Sequence, residues 1–388
     1  MARSDVVAAL QRRYRSFFAD RTPIPFAVTT LDGVTHPLGG DEPVFTIEVK
    51  DPRGARALAS LDQFAVAVSY LGGGLDLQGD LATALRMRKF FRDVHPVAWL
   101  TQFGPALWHG RRGRREHDRA TISHHYDEDS EFFLTFLDRR HRCYTEGVFA
   151  RDDEPLEDAM TRKMDLAIDA LGVRPGDHVL EVGGGWGAFA EHAGRKGIQV
   201  TTLTLSRESE RFLNELIAKE SLPVTVVRQH LLGYASRERY DAIVNMGVTE
   251  HLPDYKATLR KYGELLRPGG NVYLDALAMR AKRSVSTFMK RLVYPGASAP
   301  LLLHDYLRHV AHSPFQLLSV TDDRHNYYLT CREWALRLDE AREEVVRRWG
   351  EPLYRRFRLF LWGSAAGFDT GLVQAYRWVL HLPAPAQV

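Results

Sequence analysis

Apolar positions along this chain recur in two different rhythms. Up to about residue 108, extended runs mix with helical ones. F-A-V-T-T-L at 26–31 and V-F-T-I-E-V at 44–49 are rich in β-branched residues, with the D-G pair at 32–33 as a turn signal between them. L-A-T-A-L-R-M-R-K-F-F at 81–91 is expected to be helical. From about residue 155, helix and strand alternate. Leu156, Met160, Met164 and Ala167 repeat at helical spacing, and Gly172 and Pro175-Gly176 stop that helix. H-V-L-E-V at 178–182 reads as a short apolar strand. Helices are expected at about 188–195, 207–219 and 255–266, and strands at 198–205, at V-T-V-V and at 240–246. R-P-G-G at 267–270 reads as a turn before another strand, N-V-Y-L-D-A-L. Such alternation predicts an α/β fold with a Rossmann-like, doubly wound parallel sheet. The ligand crevice then lies at the carboxyl ends of its strands.

The glycine turn E-V-G-G-G-W-G at 181–187 follows the first of these strands directly. Consecutive glycines let the backbone turn sharply and approach a ligand closely. Between a strand end and a helix start, such a turn makes a nucleotide cradle. Residues 183–188 also satisfy the dinucleotide pattern G-x-G-x-x-A. That pattern wants a ribose-gripping acid about 20 residues on, but the next strand ends in T-L-T-L-S at 202–206. Glu181, just before the first glycine, can attract the ammonium of a bound amino acid moiety. S-adenosylmethionine carries both an ammonium and a sulfonium, so the turn suits it better than a nicotinamide dinucleotide.

Length and composition bound the rest. A chain of 388 residues exceeds one typical core and suits two domains. The division expected is a small α+β domain over 1–108, a basic linker over 109–122, and a class I methyltransferase domain over 123–388. Cys143 and Cys331, the only cysteines, allow neither a disulfide framework nor a zinc site and suit a reducing cytoplasm. No signal-peptide core and no run of about 18 apolar residues is present, so peripheral attachment is the expected form of any membrane contact. The net charge is only +3, but Arg111, Arg112, Arg114, Arg115 and Arg119 crowd one stretch and Arg12, Arg13 and Arg15 another. Such clusters attract phospholipid headgroups or nucleic acid, and equally suit a solvated linker face.

Several segments resemble the cyclopropane fatty acid synthases, which methylate double bonds in phospholipid acyl chains. They are H-Y-D-E-D-S-E-F-F-L-T-F-L-D at 125–138, V-L-E-V-G-G-G-W-G, T-L-T-L-S, G-V-T-E-H at 247–251, F-M-K-R-L-V-Y-P-G at 288–296 and H-N-Y-Y-L-T-C-R-E-W at 325–334. D-P-R-G-A-R-A-L at 51–58 and G-D-L at 79–81 are similar to the lipid-binding domain of larger members. The resemblance implies that S-adenosylmethionine is held by Tyr126, Glu181, Gly183, Gly184, Gly185 and Gly187, with Trp186, Leu203, Thr204, Leu205 and His230 around the adenosine. Ser209 and His230 stand where relatives usually have a glutamine and an aspartate.

The resemblance also implies a reaction. Methyl transfer to an alkene leaves a carbocation, and ring-forming relatives hold a bicarbonate beside it with a cysteine, a glutamate, a histidine and a tyrosine. Glu250 and Tyr327 correspond to the glutamate and tyrosine. At the cysteine this chain has Glu146, in Y-T-E-G-V-F at 144–149, and at the histidine it has Asp275, in L-D-A-L at 274–277. Three carboxyls repel a bound anion or keep one of their number protonated. The expectation is therefore that Glu146 replaces bicarbonate, stabilising the cation and accepting its proton. A relocated base favours a 10-methylene branch on an oleoyl-type phospholipid, as in relatives that start tuberculostearic-type acids; a cyclopropane ring is the alternative. Reduction of that branch requires a separate flavin- or nicotinamide-dependent partner. The N-terminal domain suits membrane docking or homodimer formation. A nucleic-acid methyltransferase is disfavoured because no RNA-binding module motif is present. A lipid-binding protein with a degenerate cofactor site is the remaining competitor.

Overall fold

The computed structural model describes residues 3–93, 130–280, 286–293 and 300–384. They fall into two units.

The described parts of the first unit are residues 3–93, 286–293 and 338–370. Its sheet has the order β2-β1-β3-β4, with β1 Phe26–Thr29, β2 Thr35–Leu38, β3 Phe45–Val49 and β4 Leu75–Gly79. The expected D-G turn does not join the two predicted strands. It closes a β1–β2 hairpin, and β1 runs parallel to β3. T-H-P-L escapes detection because it is short and carries Pro37, which has no N–H to give a ladder. Phe26 and Phe45 stack across β1 and β3 with ring centroids 5.1 Å apart, inside a core with Leu10, Ile47, Leu58 and Phe90. Asp51 and Asp80 cap the helices Pro52–Ser60 and Leu81–Arg86, so D-P-R-G and G-D-L are helix starts. The second helix is shorter than predicted and tightens to a 3-10 turn over Met87–Phe90. The helix Glu351–Asp369 also belongs here: Arg355 donates to the carbonyls of Tyr70 and Leu75. A linear division at residue 122 puts that helix with the later domain, because its partners lie some 280 residues back in the chain.

The second unit carries a seven-stranded sheet of order β10-β11-β9-β8-β5-β6-β7. Its strands are β5 His178–Val182, β6 Gln199–Thr204, β7 Val224–Arg228, β8 Tyr240–Met246, β9 Leu266–Ala278, β10 Gln316–Asp322 and β11 Gln374–His381. Strands β5 to β9 are mutually parallel, and β11 runs antiparallel to both β9 and β10. The parallel strands at the centre read as apolar runs because both faces are covered. From β5 the chain winds outward to β7 and then returns to β8, so the switch point lies between β5 and β8. R-P-G-G is part of β9: the ladder jumps from Tyr240–Leu266 to Ala242–Asn271, leaving the four residues as a bulge. The predicted helix over 156–171 forms, and its buried face holds Lys163 among Met160, Met164 and Ala167. Among the described residues no helix is long and apolar enough to cross a membrane.

Candidate active site

A cavity opens at the carboxyl ends of β5, β6 and β8, enclosing about 1060 Å³ of empty space with its mouth included. Glu181, Gly183, Gly184, Gly185, Trp186, Leu203, Thr204, Leu205 and His230 all line it, as expected from the sequence. Gly187 does not; it starts the helix Ala188–Arg195 at φ 81°, so it shapes the turn from behind. Tyr126 lies outside the described residues. The turn is tied down by Gly183 and Gly184 N–H groups donating to Leu203 O at 2.9 Å each. A Cβ on Gly183 would strike Val248, and one on Gly184 would strike Thr202 and Leu213. Ser209, in place of the relatives' glutamine, donates to Gly185 O at 2.7 Å and braces the turn.

Glu181 is buried, and its Oε2 has no hydrogen-bond partner. Burial lifts its carboxyl to about 7. A buried carboxylate oxygen without a partner is costly, and a ligand ammonium in this cavity supplies what it lacks. The residues therefore fit S-adenosylmethionine: an acid for the ammonium, glycines for close approach, and apolar walls for the adenosine. His251 lines the same cavity and burial pulls it down to about 4, so it is neutral there. Cys143 also lines it, its thiol pushed up to about 11 by burial. A thiol so protonated is a weak nucleophile.

Next to this cavity lies a buried charged cluster. Glu146, Asp275 and Lys163 are 0–1% exposed, and Glu250 and Tyr327 are buried too. The four catalytic residues expected from the sequence thus come together. Glu146 sits on a loop pinned to the helix Arg324–Glu340, because Gly147 N–H donates to Thr330 Oγ1 and Phe149 N–H to Asn326 Oδ1, both at 2.9 Å. Asp275 sits near the end of β9, opposite Arg377 on β11. Glu250 lies on the 3-10 turn after β8, where its Oε1 accepts Leu277 N–H at 2.6 Å. Tyr327 is in the first turn of Arg324–Glu340, its N–H bonded to Asp323 O at 2.9 Å.

Lys163 Nζ stands 2.9 Å from Asp275 Oδ2 and 3.4 Å from Glu146 Oε2. Burial works against its charge, but Asp275 and Glu146 outweigh burial and hold the ammonium well above the ordinary lysine value. Glu146 goes the other way for a carboxyl. Burial and the adjacent Asp275 charge raise it well above the usual range, against the pull of Lys163. Asp275 is the carboxylate nearer to this ammonium. Burial also raises Glu250, to about 7, and holds the Tyr327 hydroxyl protonated.

Three members of this cluster were not foreseen: Lys163, Asp323 and Arg377, the last two paired at 3.3 Å. A lysine three residues after Met160 on an apolar stripe was a legible signal, since a buried ammonium needs anionic partners. Asp323 directly follows β10 and Arg377 lies on β11, two strands absent from the sequence reading.

A family model for mycolic acid cyclopropane synthetase matches residues 113–378. The chain is 26% identical to a probable fatty acid methyltransferase of Mycobacterium tuberculosis, over 91% of this chain and 90% of that protein. It is 29% identical to a tuberculostearic acid methyltransferase of the same organism, over 70% of this chain and 67% of that one. Among solved structures, the mycolic acid cyclopropane synthase CmaA1 in complex with SAH and CTAB superposes with a TM-score of 0.64 at 25% identity, covering 68% of this chain and 97% of its own. Match, strand order and cofactor cavity agree, and the chain belongs to the mycolic acid cyclopropane synthetase family of S-adenosylmethionine-dependent methyltransferases.

Proposed function

We propose that this enzyme methylates the double bond of an unsaturated, oleoyl-type phospholipid acyl chain and releases a 10-methylene product, with Glu146 as the base. The names of its relatives support a fatty acyl substrate. The observation that carries the reading is the Glu146 carboxyl, shut away from water 3.4 Å from the Lys163 ammonium and beside Glu250, Asp275 and Tyr327.

S-adenosylmethionine supplies an electrophilic methyl group when bound. Glu181 holds the ammonium end and the glycine turn sets the approach. Methyl addition at C10 leaves a cation at C9 of the acyl chain. A hydride moves from C10 to C9, and the tertiary cation now at C10 faces the carboxylates. Glu146, in its ionised form, stabilises it where little water competes. A C–H bond of the new methyl then breaks, its electron pair becomes the exomethylene double bond, and the proton goes to Glu146. A bicarbonate is superfluous where a protein carboxylate already stands, and Asp275 and Glu250 would repel it.

A separate reductase would be needed to turn the branch into a methyl group. Work at the inner face of a membrane is supported by the arginine-rich stretch containing Arg111 to Arg115, which lies outside the described residues. The test is to incubate the enzyme with S-adenosylmethionine and an oleoyl phospholipid and to examine the acyl product by proton NMR, since ring and exomethylene isomers share one mass. Vinylidene protons support the reading, and cyclopropane ring protons overturn it in favour of ring closure.

A further inference from the structure

Lys163 has no part in the family-derived picture, yet among the described residues of the second unit no side chain is more completely buried. An ammonium has three N–H donors. Here it donates to Thr145 Oγ1 and is ion-paired with Asp275 Oδ2 at 2.9 Å and Glu146 Oε2 at 3.4 Å. Removing a cation this deep from water is expensive, and a hydrophobic residue on the same stripe would avoid that cost. A buried charge this costly calls for a role that packing does not supply.

We propose that Lys163 is the positioning residue of the proton-accepting step: its ammonium clamps Asp275 and Glu146 together and keeps the Glu146 carboxyl able to ionise. It does not touch the substrate. Its charge is balanced locally by Asp275, so it does not repel the acyl cation, while its remaining field reaches Glu146. The inference rests on the reading of Glu146 as the base.

Geometry sets the direction of the effect. Without Lys163, Glu146 would be left buried beside the Asp275 anion, and its proton would be held still more tightly. The other ionisable groups packed around Glu146 are Asp275 and Tyr273 on β9, Glu250 on the 3-10 turn after β8, Asp323 and Arg377 at the β10–β11 edge, and Tyr327 and Cys331 on Arg324–Glu340. Asp275 and Asp323 raise the carboxyl, whereas Lys163 lowers it. Loss of an opposite charge at this range shifts a carboxyl by about 1–3 pH units.

The experiment follows the protonation of Glu146 without requiring turnover. Infrared difference spectra between the enzyme and its Glu146→Gln variant isolate the protonated-carboxyl band of Glu146, which is then titrated. In Lys163→Met the band should persist to a pH about 1–3 units higher, and in Asp275→Asn it should disappear at lower pH. The double variant Lys163→Met/Asp275→Asn removes one charge of each sign and should titrate close to the parent. It also keeps the proposal testable if Lys163→Met alone does not fold. The pH at which kcat rises should move in step. A Lys163→Met or double-variant titration that contradicts these positions overturns the proposal. Normal turnover by Glu146→Gln would instead sink the base assignment and leave the Lys163 titration to be judged separately.

Discussion

Asp275 Oδ1 accepts the Gly247 N–H at 2.8 Å, and Gly247 lies on the wall of the cofactor cavity. One carboxylate therefore joins the two halves of the site, since its other oxygen holds Lys163. A group in that position sets both how the cavity wall runs and how the charged cluster is arranged.

Replacing Asp275 by Leu should accordingly do more than slow the reaction. It strands the Lys163 ammonium opposite a single carboxyl that already favours its proton. Breaking one partner of a buried pair costs about 3–5 kcal/mol. Chemical denaturation should show that loss, and calorimetry should show weaker cofactor binding as Gly247 loses its anchor.

Cofactor affinity should depend on pH through Glu181. Its folded-state value, about 7, lies above the ordinary carboxyl value of 4.5. The folded protein without cofactor therefore holds a proton that the unfolded chain has released, and this contribution to stability is present at low pH and falls as pH rises toward 7. A ligand ammonium needs the ionised form, so affinity should strengthen between about pH 6 and 8. In Glu181→Gln the binding should be roughly 10–100-fold weaker, reflecting a charged hydrogen bond, and this component of the pH dependence should vanish. Titration calorimetry at several pH values checks both.

Gly183 has φ 93°, and a Cβ there meets the Val248 side chain. Gly183→Ala should lose about 1–3 kcal/mol of stability from backbone strain and most cofactor binding, because the turn must open. Gly185→Ala, also at positive φ but with open space around it, should keep more of the binding. Equal losses in the two variants would contradict this view of the turn.

The arginine-rich stretch carries a separate prediction. Neutralising Arg111, Arg112, Arg114 and Arg115 together should weaken binding to vesicles containing anionic phospholipid, by about 1 kcal/mol per charge near the surface. Sedimentation with vesicles at low and physiological salt reads it. Unchanged binding would remove the membrane role from that segment.

Much of the site was legible in the sequence because its determinants are local. The glycine turn, the acid before it and the strand ending T-L-T-L-S each occupy a few consecutive residues, and their geometry follows from backbone sterics. Glu146, Glu250, Asp275 and Tyr327 lie far apart in the chain, and only a family resemblance linked them. Lys163 escaped notice because periodicity was read from apolar residues alone, so a charge on the same stripe was passed over. Strand β10 was missed for a physical reason: Leu317, Leu318 and Val320 are exposed, and all seven of its residues face solvent. An edge strand with no buried face offers no alternation to detect. The membership of Glu351–Asp369 in the first unit could not be read locally either, since it depends on long-range contacts such as Arg355 to Tyr70 and Leu75.

The central claim is that a carboxylate of the protein, not a bound anion, takes the proton. It is tested most directly by the turnover of Glu146→Gln on an oleoyl phospholipid, measured beside the parent enzyme across added bicarbonate. The account predicts a parent rate indifferent to bicarbonate and a variant slower by about 10²–10⁴-fold with unchanged cofactor affinity. Near-parental turnover of the variant, or a parent enzyme that requires bicarbonate, would contradict it.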